Sequence, residues 1–193
     1  MKDITLYHST SSENAKLIKQ NGFKSKKESI GRLLGDNRSK LKKPGTLGYG
    51  TYGFLEDYEL SKEFYLSNNR TDCSILEFKI NLNEENILDL NNVDDLKTVR
   101  HFFQNSNMDR HLEILKRKFG NDENSQKSVF GALLEFFINH GEKSGEIKVE
   151  AVSATTSTYI SKFPLSKKIP NGIEYCIRND DLIKTKNINI CKC

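Results

Sequence analysis

The sequence predicts an α+β fold, and three observations carry that reading. β-Branched and aromatic runs suited to strands recur at 4–9 (ITLYHS), 74–82 (SILEFKINL) and 172–179 (GIEYCIRN). Three segments with helical spacing of apolar residues lie in the interval between the last two. The order of strands, then helices, then strands again lacks the regular alternation of βαβ crossover units, which argues against a doubly wound parallel sheet.

Taken in order, the first strand at 4–9 leads into SSENAKLIKQNGF, where Ser11 or Ser12 caps a helix. Ala15, Leu17 and Ile18 supply its apolar face, and Gly22 stands where a C-terminal cap belongs. An irregular basic stretch follows as far as Pro44-Gly45. GTYGFLED reads as a short strand or turn, and YELSKEFYLSNN as a helix with Leu60, Phe64 and Tyr65 on one face. After the strand at 74–82 comes a shorter one at 86–90, then helices in VDDLKTVRHFFQNS and DRHLEILKRKFG. SVFGALLEFFINHG, 128–141, is apolar enough to lie in the core, and its pattern stops at Gly141. Strands are expected at 146–155 and 172–179, joined by a loop with two prolines. No internal repeat or long linker divides the chain, so residues 1–193 are expected to form one domain.

With 29% charged and 36% hydrophobic residues, the composition is that of a globular chain rather than a disordered one. No apolar run reaches the roughly 18 residues of a membrane span, and MKDITLYHST lacks the pattern of a secretory signal. A cytoplasmic protein without membrane partners is therefore expected. Cys73, Cys176, Cys191 and Cys193 contain no C-x-x-C spacing. In a reducing cytoplasm they are expected as free thiols, with no disulfide and no metal.

The net charge of +4 is unevenly spread. Between 24 and 43, eight basic residues (Lys24, Lys26, Lys27, Arg32, Arg38, Lys40, Lys42, Lys43) face only Glu28 and Asp36. Such a segment suits phosphates or an acidic surface, and equally a solvated loop.

GYGTYG, 48–53, satisfies the G-x-G-x-x-G pattern of dinucleotide-binding loops. That pattern requires a buried strand feeding the first glycine and a helix after the last. The residues before it, RSKLKKPGTL, cannot form a central parallel strand. The Rossmann reading is rejected.

Read with its neighbours, the same stretch points elsewhere. LGYGTYGF followed by SKEFY resembles the glycine-rich turn, tyrosine, and later serine and tyrosine of the ADP-ribosyltransferases of the diphtheria-toxin-like and poly(ADP-ribose) polymerase-like branch. LYHST resembles that family's first-strand histidine, and IEYCIRN its late strand opening on glutamate. His8, Tyr52 and Glu174 thus stand in the order of the H-Y-E signature. Two departures are visible: Ser9 follows the histidine where glycine is more usual, and Gly53-Phe54 replaces an aromatic-alanine pair. The resemblance implies a split β-sheet core with flanking helices, and NAD as co-substrate without a metal.

It also implies roles. Cleavage of the nicotinamide–ribose bond passes through an oxocarbenium-like state, which a nearby carboxylate stabilises. On the family pattern Glu174 holds the nicotinamide-ribose 2′-hydroxyl, with Glu150 in KVEAV as a competing carboxylate. His8 bonds the adenine-side ribose, and Ser9 and Ser61 grip the carboxamide. Tyr65 stacks on the nicotinamide ring, with Tyr52 closing the other side. Gly48 and Gly50 bring backbone close to the dinucleotide.

The compact chain resembles a stand-alone bacterial or phage-type mono-ADP-ribosyltransferase, a toxin or defence effector with room for a neutralising antitoxin or immunity protein as partner. The acceptor is a macromolecule, protein or RNA/DNA. In the loop 155–171, Tyr159 and Phe163 interleaved with Lys162, Lys167 and Lys168 suit a stacked, phosphate-bearing target. Two rival readings use the same chain: an NAD glycohydrolase with water as acceptor, and an inactive fold retained as an RNA-binding module. A third, the RNA 2′-phosphotransferase branch, finds little support in RNDD at 178–181.

Overall fold

The computed structural model describes residues 1–35, 41–67, 70–106, 108–160, 166 and 168–193. Arg38, Lys40, Lys162, Phe163 and Lys167, named above as candidate contacts, lie outside the described residues. The chain is α+β. Its elements are β1 (Lys2–Thr10), α1 (Ser12–Asn21), α2 (Ile30–Leu34), β2 (Thr51–Leu55), α3 (Tyr58–Leu66), β3 (Ser74–Leu82) and β4 (Ile87–Asp89). There follow α4 (Val93–Asn105), α5 (Asp109–Phe119), α6 (Glu123–Ser144), β5 (Ala151–Thr156), β6 (Gly172–Ile177) and β7 (Ile188–Lys192).

The strands form a seven-stranded sheet in the order β4-β5-β6-β2-β1-β3-β7. Only β4 and β5 run parallel; the remaining neighbours are antiparallel. The sheet is one ladder that parts locally. β1 pairs with β3 along its whole length, from Lys2↔Leu82 to Thr10↔Ser74, but meets β2 only at Leu6↔Leu55 and Tyr7↔Phe54. Beyond Tyr7 the two strands diverge, and Thr51–Gly53 pair with β6 alone.

Alternation along the strands assigns two faces. Leu6, Phe78, Tyr175 and Ile177 point to one side, where Ala15, Ile18, Phe23, Leu182 and Ile183 cover them. Val152, Cys176 and the Tyr52 ring point to the other, against Leu134, Phe137 and Ile138 of α6 and Val99 of α4. α6 is buried on a second flank as well, where Val129, Ala132 and Phe136 meet Leu33, Tyr49, Leu115 and Phe119. That double burial explains a helix apolar around most of its circumference.

Four expectations need correction. Gly141 does not end the long helix. It sits inside α6 where a Cβ would meet Ile147 Cγ1 at 2.6 Å, and the helix ends at Gly145 in the left-handed region (φ 75°). The strand foreseen from 146 begins only at Ala151. α2 and β7 were not foreseen: α2 is a five-residue helix capped by Ser29, and β7 is an edge strand with one buried residue, Ile188. Finally, the thiols are not all free. Cys73 and Cys193 form a disulfide, leaving Cys176 and Cys191 as free cysteines. The β3–β7 register, which pairs Ser74 with Lys192, brings positions 73 and 193 opposite one another with Cα atoms 5.5 Å apart. Without β7 in view, 120 positions of separation hid the pairing.

Candidate active site

The point where β1 leaves β2 collects most of the residues singled out in the sequence. His8, on the first unpaired position, bridges the gap with Nδ1 2.8 Å from the Tyr52 carbonyl oxygen. A carbonyl only accepts, so Nδ1 carries the proton and Nε2 is left as an acceptor. Burial holds the imidazole pKa below its usual value, with the bond to Tyr52 acting against it, so the ring is neutral near pH 7. Phe23 meets the ring edge-on at 5.4 Å. His8 lines a cavity of about 480 Å³ beside the C-terminal turn of α1, with Leu17, Phe23, Lys24, Lys42 and Thr51 among its walls.

Ser9 points to the other face, where α3 lies. Its Oγ is 2.6 Å from both the carbonyl oxygen and the hydroxyl of Ser61. Asp57 caps α3 by accepting from the Leu60 amide, which fixes the turn that presents Ser61. One turn on, Tyr65 is buried, with the Arg70 guanidinium 4.9 Å from its ring centre. Phe54 and Phe64 close the seam between β2 and α3 at 5.7 Å.

Glu174 is the third residue of β6, opposite Phe54 and Ala154, on the same face as Tyr52. Tyr52 pairs with Cys176, so Tyr52 and Glu174 are diagonal neighbours, roughly 7 Å apart at such positions. The Glu174 carboxylate is half-buried and accepts no hydrogen bond among the described residues. Burial pushes its pKa up to about 7, opposed by the positive charge of Lys127. Glu150 is different in both place and state. It stands four residues before Ala154, about 13 Å along the strand direction. Its carboxylate is bonded to Lys148 at 2.6 Å, which holds its pKa below the usual range. It does not share the site.

Tyr52 and the glycines serve the fold first. The Tyr52 hydroxyl donates to the Gly48 carbonyl (2.8 Å) and accepts from the Leu47 amide (2.9 Å). Burial raises its pKa well above 10, with the Cys176 and Glu174 charges adding to the shift, so the phenol stays protonated. Gly48 has φ 91°, and a Cβ there would stand 2.3 Å from Glu135 Oε1. At Gly50 it would stand 2.3 Å from the Ile177 carbonyl oxygen. The close approach that these glycines permit is thus to the protein's own α6 and β6. β2, which begins at Thr51, is antiparallel to both neighbours, as rejection of the Rossmann reading requires.

Sequence reasoning missed the strongest polar contact beneath this loop. Arg178 and Glu135 form a buried bidentate pair, Nη1–Oε1 2.6 Å and Nη2–Oε2 3.0 Å, and the Tyr49 amide donates to Oε1 at 2.6 Å. The one signal available was a lone glutamate inside the apolar stretch 128–141. Arg178, the arginine of RNDD, is thereby committed within the fold. Lys127 and Arg70 were also missed, since neither carries a motif. In the loop before β6, Thr158 is buried and Tyr159 and Lys168 are exposed.

Among the described residues no group of three or more His, Cys, Asp or Glu is placed to hold a metal ion, and no helix is long and apolar enough to cross a membrane. Neither a family model nor a curated protein matches the chain.

Proposed function

We propose that this chain is an NAD-dependent mono-ADP-ribosyltransferase with an ADP-ribosyltransferase-like sheet parted between β1 and β2. The observation that carries the proposal is the Glu174 carboxylate, half-buried and without a hydrogen-bond partner among the described residues, on the same sheet face as the Tyr52 ring. The parting of β1 from β2, bridged by His8, lies beside it. A carboxylate partly withdrawn from water and given no hydrogen bond by the described residues is disfavoured by a fold, and it suits a site where positive charge develops on a ribose.

In this reading the adenosine half of NAD enters the cavity beside α1. His8 Nε2 accepts from a ribose hydroxyl, and Lys24 and Lys42 face the diphosphate. The nicotinamide half crosses the parting toward Ser9, Ser61 and Tyr65. The bond between ribose C1′ and the nicotinamide nitrogen breaks, and nicotinamide leaves with its electron pair. The acceptor nucleophile then bonds C1′ and loses its proton. Ionised Glu174 stabilises the ribosyl cation between those events and bonds its 2′-hydroxyl. The acceptor is a macromolecule, protein or RNA/DNA.

The test is purified protein with labelled NAD, with and without RNA, DNA and lysate protein, beside Glu174→Gln. Nicotinamide release together with a labelled macromolecule, both lost in the variant, supports the transferase and names the acceptor class. Release without label makes the chain an NAD glycohydrolase. Absence of both release and NAD binding overturns the reading and leaves a binding module.

A further inference from the structure

The helix that carries Ser61 and Tyr65 is held at both ends by residues next to the disulfide. At its first turn, the Tyr58 hydroxyl donates to the Lys192 carbonyl oxygen, one residue before Cys193. The Tyr58 ring also meets Tyr7 edge-on at 5.9 Å. At its last turn, Tyr65 is covered by Arg70, three residues before Cys73. The segment from Arg70 to Cys73 has a further anchor, because Asp72 accepts from the amide and hydroxyl of Ser12 at the start of α1. The Cys73–Cys193 bond joins that segment to the end of β7 and so closes a clamp around α3.

We infer that this disulfide is a redox latch that sets the position of α3, and with it the affinity of the candidate site for NAD. The inference rests on the reading of Ser61 and Tyr65 as facing the substrate. Opening the latch is thiol–disulfide exchange. A dithiol reductant gives two electrons and two protons, becomes a cyclic disulfide, and leaves Cys73 and Cys193 as thiols. The end of β7 is then an edge strand held by its backbone ladder to β3 and by the Tyr58–Lys192 bond, without a covalent tie, and edge-strand ends open readily. The Tyr58–Lys192 and Arg70–Tyr65 contacts loosen together, and Ser61 shifts relative to Ser9. Cys191, two positions from Cys193, is a poor competitor for exchange. It is paired opposite Ile75, and burial with the Glu77 charge raises its thiol pKa.

The test is amide hydrogen exchange read by mass spectrometry, with calorimetric titration of NAD, on oxidised and dithiothreitol-reduced wild type. Thiol counting by alkylation fixes the redox state. Reduction is expected to speed exchange in 58–66 and 188–192 on the order of tenfold while α6 is unchanged, and to weaken NAD binding roughly tenfold. Cys73→Ser/Cys193→Ser is expected to show the reduced values whether or not reductant is present, and Cys191→Ser to behave as wild type. Unchanged exchange in 58–66 after confirmed reduction overturns the latch, as does a purified protein with four free thiols. Faster exchange with unchanged NAD affinity overturns its control of the site. Faster exchange in a protein that binds NAD in neither state leaves the clamp standing and defeats the functional reading instead.

Discussion

Glu135, buried on α6, and Glu174, half-buried on β6 of the sheet that α6 covers, are both withdrawn from bulk water to some extent, and the fold treats them in opposite ways. Glu135 receives a bidentate guanidinium from Arg178 and the Tyr49 amide. Glu174 receives no hydrogen bond among the described residues, and its pKa rises to about 7. A carboxylate that serves architecture is matched atom for atom, because an unmatched buried charge destabilises whatever encloses it. On the proposed reading, a carboxylate left unmatched beside the parting of the sheet keeps its lone pairs for a substrate. The contrast separates two glutamates that composition and local pattern do not.

The sharpest way to break the comparison is to strip Glu135 of its partner. Arg178→Met leaves a buried carboxylate with only the Tyr49 amide, and removal of one member of such a pair costs about 3–5 kcal/mol. Urea denaturation should show that loss at pH 7. The glycine loop should loosen with it, because Gly48 and Tyr49 lean on the same carboxylate.

Glu174→Gln should do the reverse, with a folded protein and a poor catalyst. Losing the charge opposite a developing cation is expected to lower nicotinamide release at least about 100-fold with the urea midpoint no lower than that of wild type. A variant that unfolds instead would place Glu174 in the same class as Glu135.

The pH dependence sharpens the contrast further. The folded-state pKa of Glu174, about 7, lies above the ordinary 4.5, so the folded protein holds this proton more tightly than the unfolded chain. Its contribution to stability is therefore fully present below about 4.5, declines as pH rises to about 7, and is flat above. Solvent access to the carboxylate reduces the effect to about 1–2 kcal/mol. In urea melts from pH 5 to 8, wild type should lose that much relative to Glu174→Gln. On the proposed reading, in which the ionised form stabilises the ribosyl cation, nicotinamide release should rise over the same interval.

How much of this was legible in the sequence follows from where each signal lives. Alternation and capping are local, so β1, α1, α3, β3 and β6 could be read within a few residues, and the α+β order with them. His8, Tyr52 and Glu174 were singled out through the family resemblance, and the strand register accounts for their grouping beside one parting of the sheet. What escaped was non-local. Gly141 reads as a helix end until Ile147 is seen against it. Cys73 and Cys193 read as unrelated thiols until an edge strand with one buried residue brings them together. Gly48 and Gly50 fit a phosphate loop in the sequence, whereas their close neighbours are Glu135 and Ile177.

Tyr52 tests whether the comparison extends to a residue with a foot in both camps. Its ring lies diagonal to Glu174, as a substrate-facing tyrosine should, yet its hydroxyl is spent on the Leu47 amide and the Gly48 carbonyl. Tyr52→Phe keeps the ring and removes only the hydroxyl. If the hydroxyl belongs to the architecture, the variant loses about 1 kcal/mol of stability and releases nicotinamide within about threefold of wild type. If it belongs to the chemistry, release falls toward the level of Glu174→Gln with little change in the melt. The hydrogen bonds favour the first outcome: both lone-pair and proton positions of the phenol are occupied by the loop, and burial holds it protonated. On the proposed reading, the part of Tyr52 left to a substrate is the ring and not the hydroxyl.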